Sequence, residues 1–242
     1  MIGLFDPLFW ILVGPPVLLG IIAQIWVRSA FARAAEIPAR LSGAEAAREI
    51  LAAAGLVGVS EPIGSEKTLG RRSGVGIERV GEFLGDHYDP RDKVVRLSPE
   101  VYGGRSLAAL GIAAHEVGHA LQDAQKYPAL ALRNAAVGIA SFGSGAGVWI
   151  LIFGLVFSVP ALIWAGIILF SGVVLFQVLN LPVEFDASAR AKAVLARMGL
   201  VDAASMRYVN AVLTAAALTY VAATLQSVMT LIYYVLLARN RE

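Results

Sequence analysis

Four stretches of this chain contain no charged side chain, and each is long enough to cross a bilayer as a helix: Leu8 to Val27, Ala135 to Phe157, Ala161 to Leu181 and Ala211 to Ala238. A helix needs about 20 apolar residues to cover the hydrocarbon core, where water cannot satisfy backbone polar groups. In a chain of 242 residues that is 57% hydrophobic and only 16% charged, the pattern predicts an α-helical membrane protein with about four transmembrane helices. Pro15 and Pro16 would kink the first span, which embedded helices tolerate when neighbours satisfy the freed carbonyls. A cleaved signal peptide would carry basic residues before its apolar run. Here Asp6 precedes the run and Arg28, Arg33 and Arg40 follow it, so an uncleaved anchor with a cytoplasmic C-terminal end fits better. Ser158-Val159-Pro160 predicts a tight hairpin between the second and third spans, and Gly143 and Gly147 would allow close helix contact.

Residues 28–134 form the main water-exposed domain, and 14 of the 20 Lys and Arg residues lie between Arg28 and Arg133. Ser42-Gly43-Ala44-Glu45 is a capping box opening a helix to about Ala54, which Gly55 closes. Gly64 to Gly76 reads as a loop. Ile77 to Leu84 and Lys93 to Leu97 read as strands, joined by the turn Gly85-Asp86-His87-Tyr88-Asp89-Pro90. Ser106 caps a helix from Leu107 to about Gln125. A second polar segment, 182–210, has a helical pattern from Phe185 to Met198 that suits a helix at or beside the membrane surface.

The decisive motif is His115-Glu116-Val117-Gly118-His119. Residues four apart lie one turn apart on one helix face, so both imidazoles can address one metal ion while Glu116 reaches water at that ion. The alternative is a pair of surface histidines salt-bridged to Glu116, although three ionisable groups in so apolar a helix need partners if they are buried. A catalytic zinc site uses three protein ligands and keeps one position open. Glu184, at the end of the third apolar run, is the candidate third ligand. Glu184 and Asp186 have a second reading, as helix N-terminal charges favoured by the macrodipole. A pair of spans separates His119 from Glu184, and two crossings return the chain to the same side. The basic flank of the first span makes that side cytoplasmic, although Arg239 and Arg241 at the far end oppose this mildly.

Three roles compete for His87: metal ligand, stabiliser of the oxyanion of a tetrahedral intermediate, or member of a polar turn with Asp86, Tyr88 and Asp89. Asp123 and Asp186 are candidate acceptors for the imidazole nitrogens that face away from the metal. The chain has no cysteine, which excludes disulfides, thiolate zinc sites and a cysteine nucleophile. A net charge of +2 offers nothing to nucleic acid.

Taken together, Gly85 to Arg91, Arg105 to Gln122 around the H-E-x-x-H sequence, and Leu181-Pro182-Val183-Glu184-Phe185-Asp186-Ala187-Ser188 resemble the neutral zinc metallopeptidases of bacterial membranes, the YugP-like proteins. The resemblance implies a multi-pass protein of the bacterial inner membrane with a small α+β, zincin-like metallopeptidase domain. It implies a zinc-dependent endopeptidase using one zinc ion, with His115 and His119 as ligands, Glu116 as general base and Glu184 favoured as third ligand. Its substrate would be a peptide or protein, membrane proteins included. Tyr88 joins His87 as a candidate substrate or transition-state contact. Where gluzincins carry Asp four residues after the Glu ligand, this chain has Ser188, so Asp186 and Ser188 both stand open as the group orienting the second histidine. Two other readings are a membrane chaperone or assembly factor with non-catalytic zinc, and an intramembrane protease. The short apolar stretch around the motif disfavours the latter. A transporter fits least, because the spans hold almost no ionisable residue.

Overall fold

The computed structural model describes residues 6–56, 74–81 and 85–240. Most of the expected loop from Gly64 to Gly76, and the end of the first expected strand, lie outside these residues. The elements in chain order are α1 (Pro7–Ala35), α2 (Gly43–Ala53), β1 (Gly76–Arg79), β2 (His87–Asp89), β3 (Val94–Leu97), α3 (Pro99–Gly103), α4 (Leu107–Ala124), α5 (Pro128–Phe142), a π-helical turn (Gly143–Gly147), α6 (Val148–Phe157), α7 (Pro160–Arg197) and α8 (Met206–Arg239). The chain is a helical membrane protein with a small α+β part. Among the described residues, four helical segments are long and apolar enough to cross a membrane: Pro7–Ala35, Pro128–Phe157, Pro160–Arg197 and Met206–Arg239.

The residues divide into two compact units. The first comprises Met1–Trp26, Pro128–Val183 and Ala216–Glu242. Its helices pack on glycine. A Cβ on Gly166 would fall 2.6 Å from that of Leu151, and one on Gly147 would fall 2.8 Å from that of Leu169, so α6 and α7 meet almost backbone to backbone. Ser158 turns the corner in the left-handed region at φ 54°. Asp6 caps α1 by accepting from the Leu8 N–H at 3.0 Å, and it also accepts from the hydroxyl of fully buried Tyr233 at 3.0 Å.

The second unit comprises Val27–Tyr127 and Glu184–Ala215. The capping box forms: Glu45 N–H donates to the Ser42 hydroxyl, and the Glu45 carboxylate accepts from Ser42 N–H at 2.8 Å. Gly55 follows α2 at φ 70°. The sheet has order β1-β3-β2, with β1 parallel and β2 antiparallel to β3.

Three expectations need correction. His87–Asp89 is a strand rather than a turn, paired residue for residue with Arg96, Val95 and Val94. The first strand runs Gly76–Arg79 and stops short of the expected Leu84. The expected separate helix in 182–210 is instead the continuation of α7, which runs unbroken through Pro182 to Arg197 before Gly199, at φ 64°, ends it. The spans expected at 8–27, 135–157, 161–181 and 211–238 are likewise the apolar portions of longer helices.

Candidate metal centre

The site is built on α4. The Ser106 hydroxyl accepts from Ala109 N–H and starts the helix, and Ala and Gly make up much of its buried surface. α4 packs on β2 and β3, and two of its glycines also meet helices. A Cβ on Gly118 would lie 2.7 Å from the Ala187 carbonyl oxygen, and one on Gly111 would lie 3.2 Å from Val209 Cγ1. Gly118, between the two histidines, therefore lets the 184–197 part of α7 lie directly against α4.

That contact brings Glu184 to the histidines. His115 Nε2 is 3.3 Å and His119 Nε2 3.6 Å from Glu184 Oε2, and the rings meet edge to face with centroids 4.8 Å apart. The three ligand atoms lie within 4.8 Å of one another. Glu184 and His119 are buried. Burial opposes charge on His119, but the hydrogen bond and charge of Glu184, with the charge of Glu116, outweigh it and hold this imidazole above its ordinary value. A proton and a cation would thus compete for the same nitrogen. Two imidazole nitrogens and one carboxylate oxygen suit zinc as a three-ligand set with a position left for water. Among the described residues no fourth His, Cys, Asp or Glu joins the group.

Glu116 follows the first histidine and is 8% exposed, and among the described residues no hydrogen bond reaches its carboxylate.

The remaining candidates divide. Ser188 reaches the other nitrogen of His115, with Oγ 3.1 Å from Nδ1. Asp186 touches neither imidazole. It accepts from Gln122 at 2.8 Å, and Gln122 contacts His119 Nδ1 at 3.0 Å. Asp123, a candidate acceptor for an imidazole, accepts from the Tyr88 hydroxyl at 2.6 Å and pairs with Lys93. Burial and that carboxylate together push the Tyr88 phenol up, so it stays protonated. Tyr88 thus fastens the edge strand to α4. Side chains alternate across a strand, so His87 falls with Asp89 on the face opposite Tyr88, the face where Asp89 meets Arg96 at 2.6 Å. His87 is exposed, and its Nδ1–H donates to the Gly85 carbonyl at 2.7 Å. It is not part of the three-ligand group.

Sequence reasoning missed Gln122, which is fully buried, and Arg190, which pairs with Asp186 at 2.5 Å. The available signal was the spacing of Gln122, three residues after His119 and so on its helix face.

A family model described as "Putative neutral zinc metallopeptidase" matches residues 9–239 of the chain. A curated relative, "Putative membrane protease YugP" of Bacillus subtilis (strain 168), is 42% identical over 220 residues, which is 90% of this chain and 91% of the relative. No solved structure matches.

Proposed function

Because this chain belongs to the neutral zinc metallopeptidase family, we propose that it is a membrane-anchored zinc endopeptidase with Glu116 as its general base. The observation that carries the reading is the convergence of His115, His119 and Glu184 within 4.8 Å, with Glu116 next to the first histidine on the same helix. Zinc held by these three side chains supplies Lewis acidity to a scissile carbonyl and makes water acidic enough to lose a proton near neutral pH. Glu116 takes the proton from the attacking water as the carbon–oxygen bond forms. It then delivers that proton to the amine as the carbon–nitrogen bond breaks, a role worth about 10²–10⁴ in rate. No covalent intermediate is needed.

The substrate is an extended peptide. A strand-shaped segment can add to a sheet edge through its backbone. In the order β1-β3-β2 the outer strand β2 also packs on α4, which favours β2 as the platform. Arg28, Arg33 and Arg40, following the first apolar run, favour a cytoplasmic site by the positive-inside rule.

The test is zinc content and cleavage of an unfolded protein by the chain purified in detergent, for wild type, Glu116→Gln, Glu184→Ala and His87→Ala. The reading requires about one zinc per chain, lost in Glu184→Ala. It also requires Glu116→Gln to keep zinc while losing at least about 100-fold in activity. His87→Ala should keep both. Wild type without zinc, or zinc indifferent to Glu184→Ala, would overturn the ligand set. Zinc without turnover would favour the chaperone reading, and cleavage confined to membrane-embedded peptides would favour the intramembrane one.

A further inference from the structure

The polar groups behind His119 form a chain in which Arg190, Asp186 and Gln122 set the direction of the bonds that lead to the imidazole. It begins at Arg190, whose guanidinium only donates. Its Nε meets Asp186 Oδ2 at 2.5 Å, another of its nitrogens meets Gln125 Oε1 at 2.6 Å, and its carbon lies 5.7 Å from the centre of the Tyr127 ring. Asp186, paired with this cation, offers only acceptor oxygens. The amide of Gln122 has one donating and one accepting end, and the 2.8 Å contact with Asp186 can be satisfied only by its NH₂. The carbonyl end is therefore the one 3.0 Å from His119 Nδ1. A carbonyl oxygen cannot donate, so Nδ1 carries the hydrogen. Nε2, the nitrogen 3.6 Å from Glu184 Oε2, is then the one left to face a metal ion.

We infer that Gln122 is a positioning residue: its carbonyl oxygen holds His119 by Nδ1–H, so that Nε2 is the nitrogen turned toward a metal ion. The inference rests on the reading of His119 as a zinc ligand. The arrangement also makes the two histidines unequal. The partner of His115 Nδ1 is the Ser188 hydroxyl at 3.1 Å, and a hydroxyl both donates and accepts, so it imposes no tautomer. A fully buried amide, with no water to reorient it, suits this task better than an exposed one.

The chain contains only three histidines, so ¹⁵N spectra of histidine-labelled, zinc-loaded protein in detergent can be assigned by single substitutions. Wild-type His119 should carry its hydrogen on Nδ1 and the metal on Nε2, and a metallated Nδ1 would overturn the inference without recourse to a variant. In chelator competition Gln122→Met, which keeps bulk but removes the amide, should weaken zinc binding by about 10–100-fold, as is usual for groups behind a metal ligand. Gln122→Glu sets two carboxylates against each other and should also bind zinc poorly. Adding Asp186→Asn should restore binding, because the new amide donates to the new carboxylate, which still accepts from Nδ1–H. A space-filling role would instead leave Gln122→Met at wild-type affinity and give the double variant no advantage over Gln122→Glu, and either result overturns the inference. Wild type that binds no zinc would overturn the metal-centre reading itself. Zinc-binding wild type with an unaffected Gln122→Met would overturn the role of Gln122 alone.

Discussion

At the scale of single residues, the partner of each imidazole sets how much its loss should cost. Ser188 makes one neutral hydrogen bond to His115, a contact worth about 0.5–1.5 kcal/mol. Ser188→Ala should therefore weaken zinc binding by at most about tenfold, less than Gln122→Met, in the same chelator competition. Asp89 belongs to stability rather than to the site. Burial opposes its charge, but the hydrogen bond and charge of Arg96, 2.6 Å away, win and hold its carboxyl below the ordinary value. A depressed carboxyl stabilises the fold above its unfolded-state pKa, and the benefit fades as pH falls through the folded value. Between about pH 7 and about pH 3, thermal melts of Asp89→Asn should lose less stability than those of wild type. The three members of the proposed ligand set were legible because charge is conspicuous: two histidines four apart, and a glutamate just beyond an apolar run. Gln122 was not, because an uncharged amide near the end of a helix looks the same in sequence whether it faces water or an imidazole.

At the scale of elements, the approach of α4 to α7 makes Gly118 irreplaceable. Its missing Cβ would meet the Ala187 carbonyl, so Gly118→Val must push the helices apart. Overpacking of this kind costs about 1–3 kcal/mol. It also withdraws Glu184 from the histidines, so Gly118→Val should both melt earlier and bind zinc more weakly than wild type. Capping residues foretold α2 and α4 closely, because Ser42 and Ser106 act locally. The continuity of α7 was hidden. Pro182 and the change from apolar to charged residues look like a boundary, yet a proline in a helix removes one backbone bond and does not always end it. Strand β2 was hidden for the opposite reason. Its His-Tyr-Asp sequence reads as a turn, and only pairing with β3 and the Tyr88–Asp123 bond give it strand form.

At the scale of the whole molecule, a bound ion should stabilise the folded state in proportion to how far its concentration exceeds the dissociation constant. At about a thousandfold excess the gain is about 4 kcal/mol. Zinc should therefore raise the melting temperature of wild type, a chelator should reverse the rise, and Glu184→Ala should respond to neither; differential scanning in detergent would read all three. The sequence separation of the ligands carries a further consequence, one of time. His115 precedes Glu184 by 69 residues, and the α5–α6 and α7 hairpin lies between them. At roughly 5–20 residues per second, synthesis of that interval takes roughly 3 to 14 s. For most of it the ribosome holds a chain with both imidazoles and the proposed general base but not the proposed third ligand. With the proposed activity, a chain made in this order would be born inactive and would gain activity only after its membrane hairpin has been made, when the nascent chain has passed the stage at which it would be its own nearest substrate.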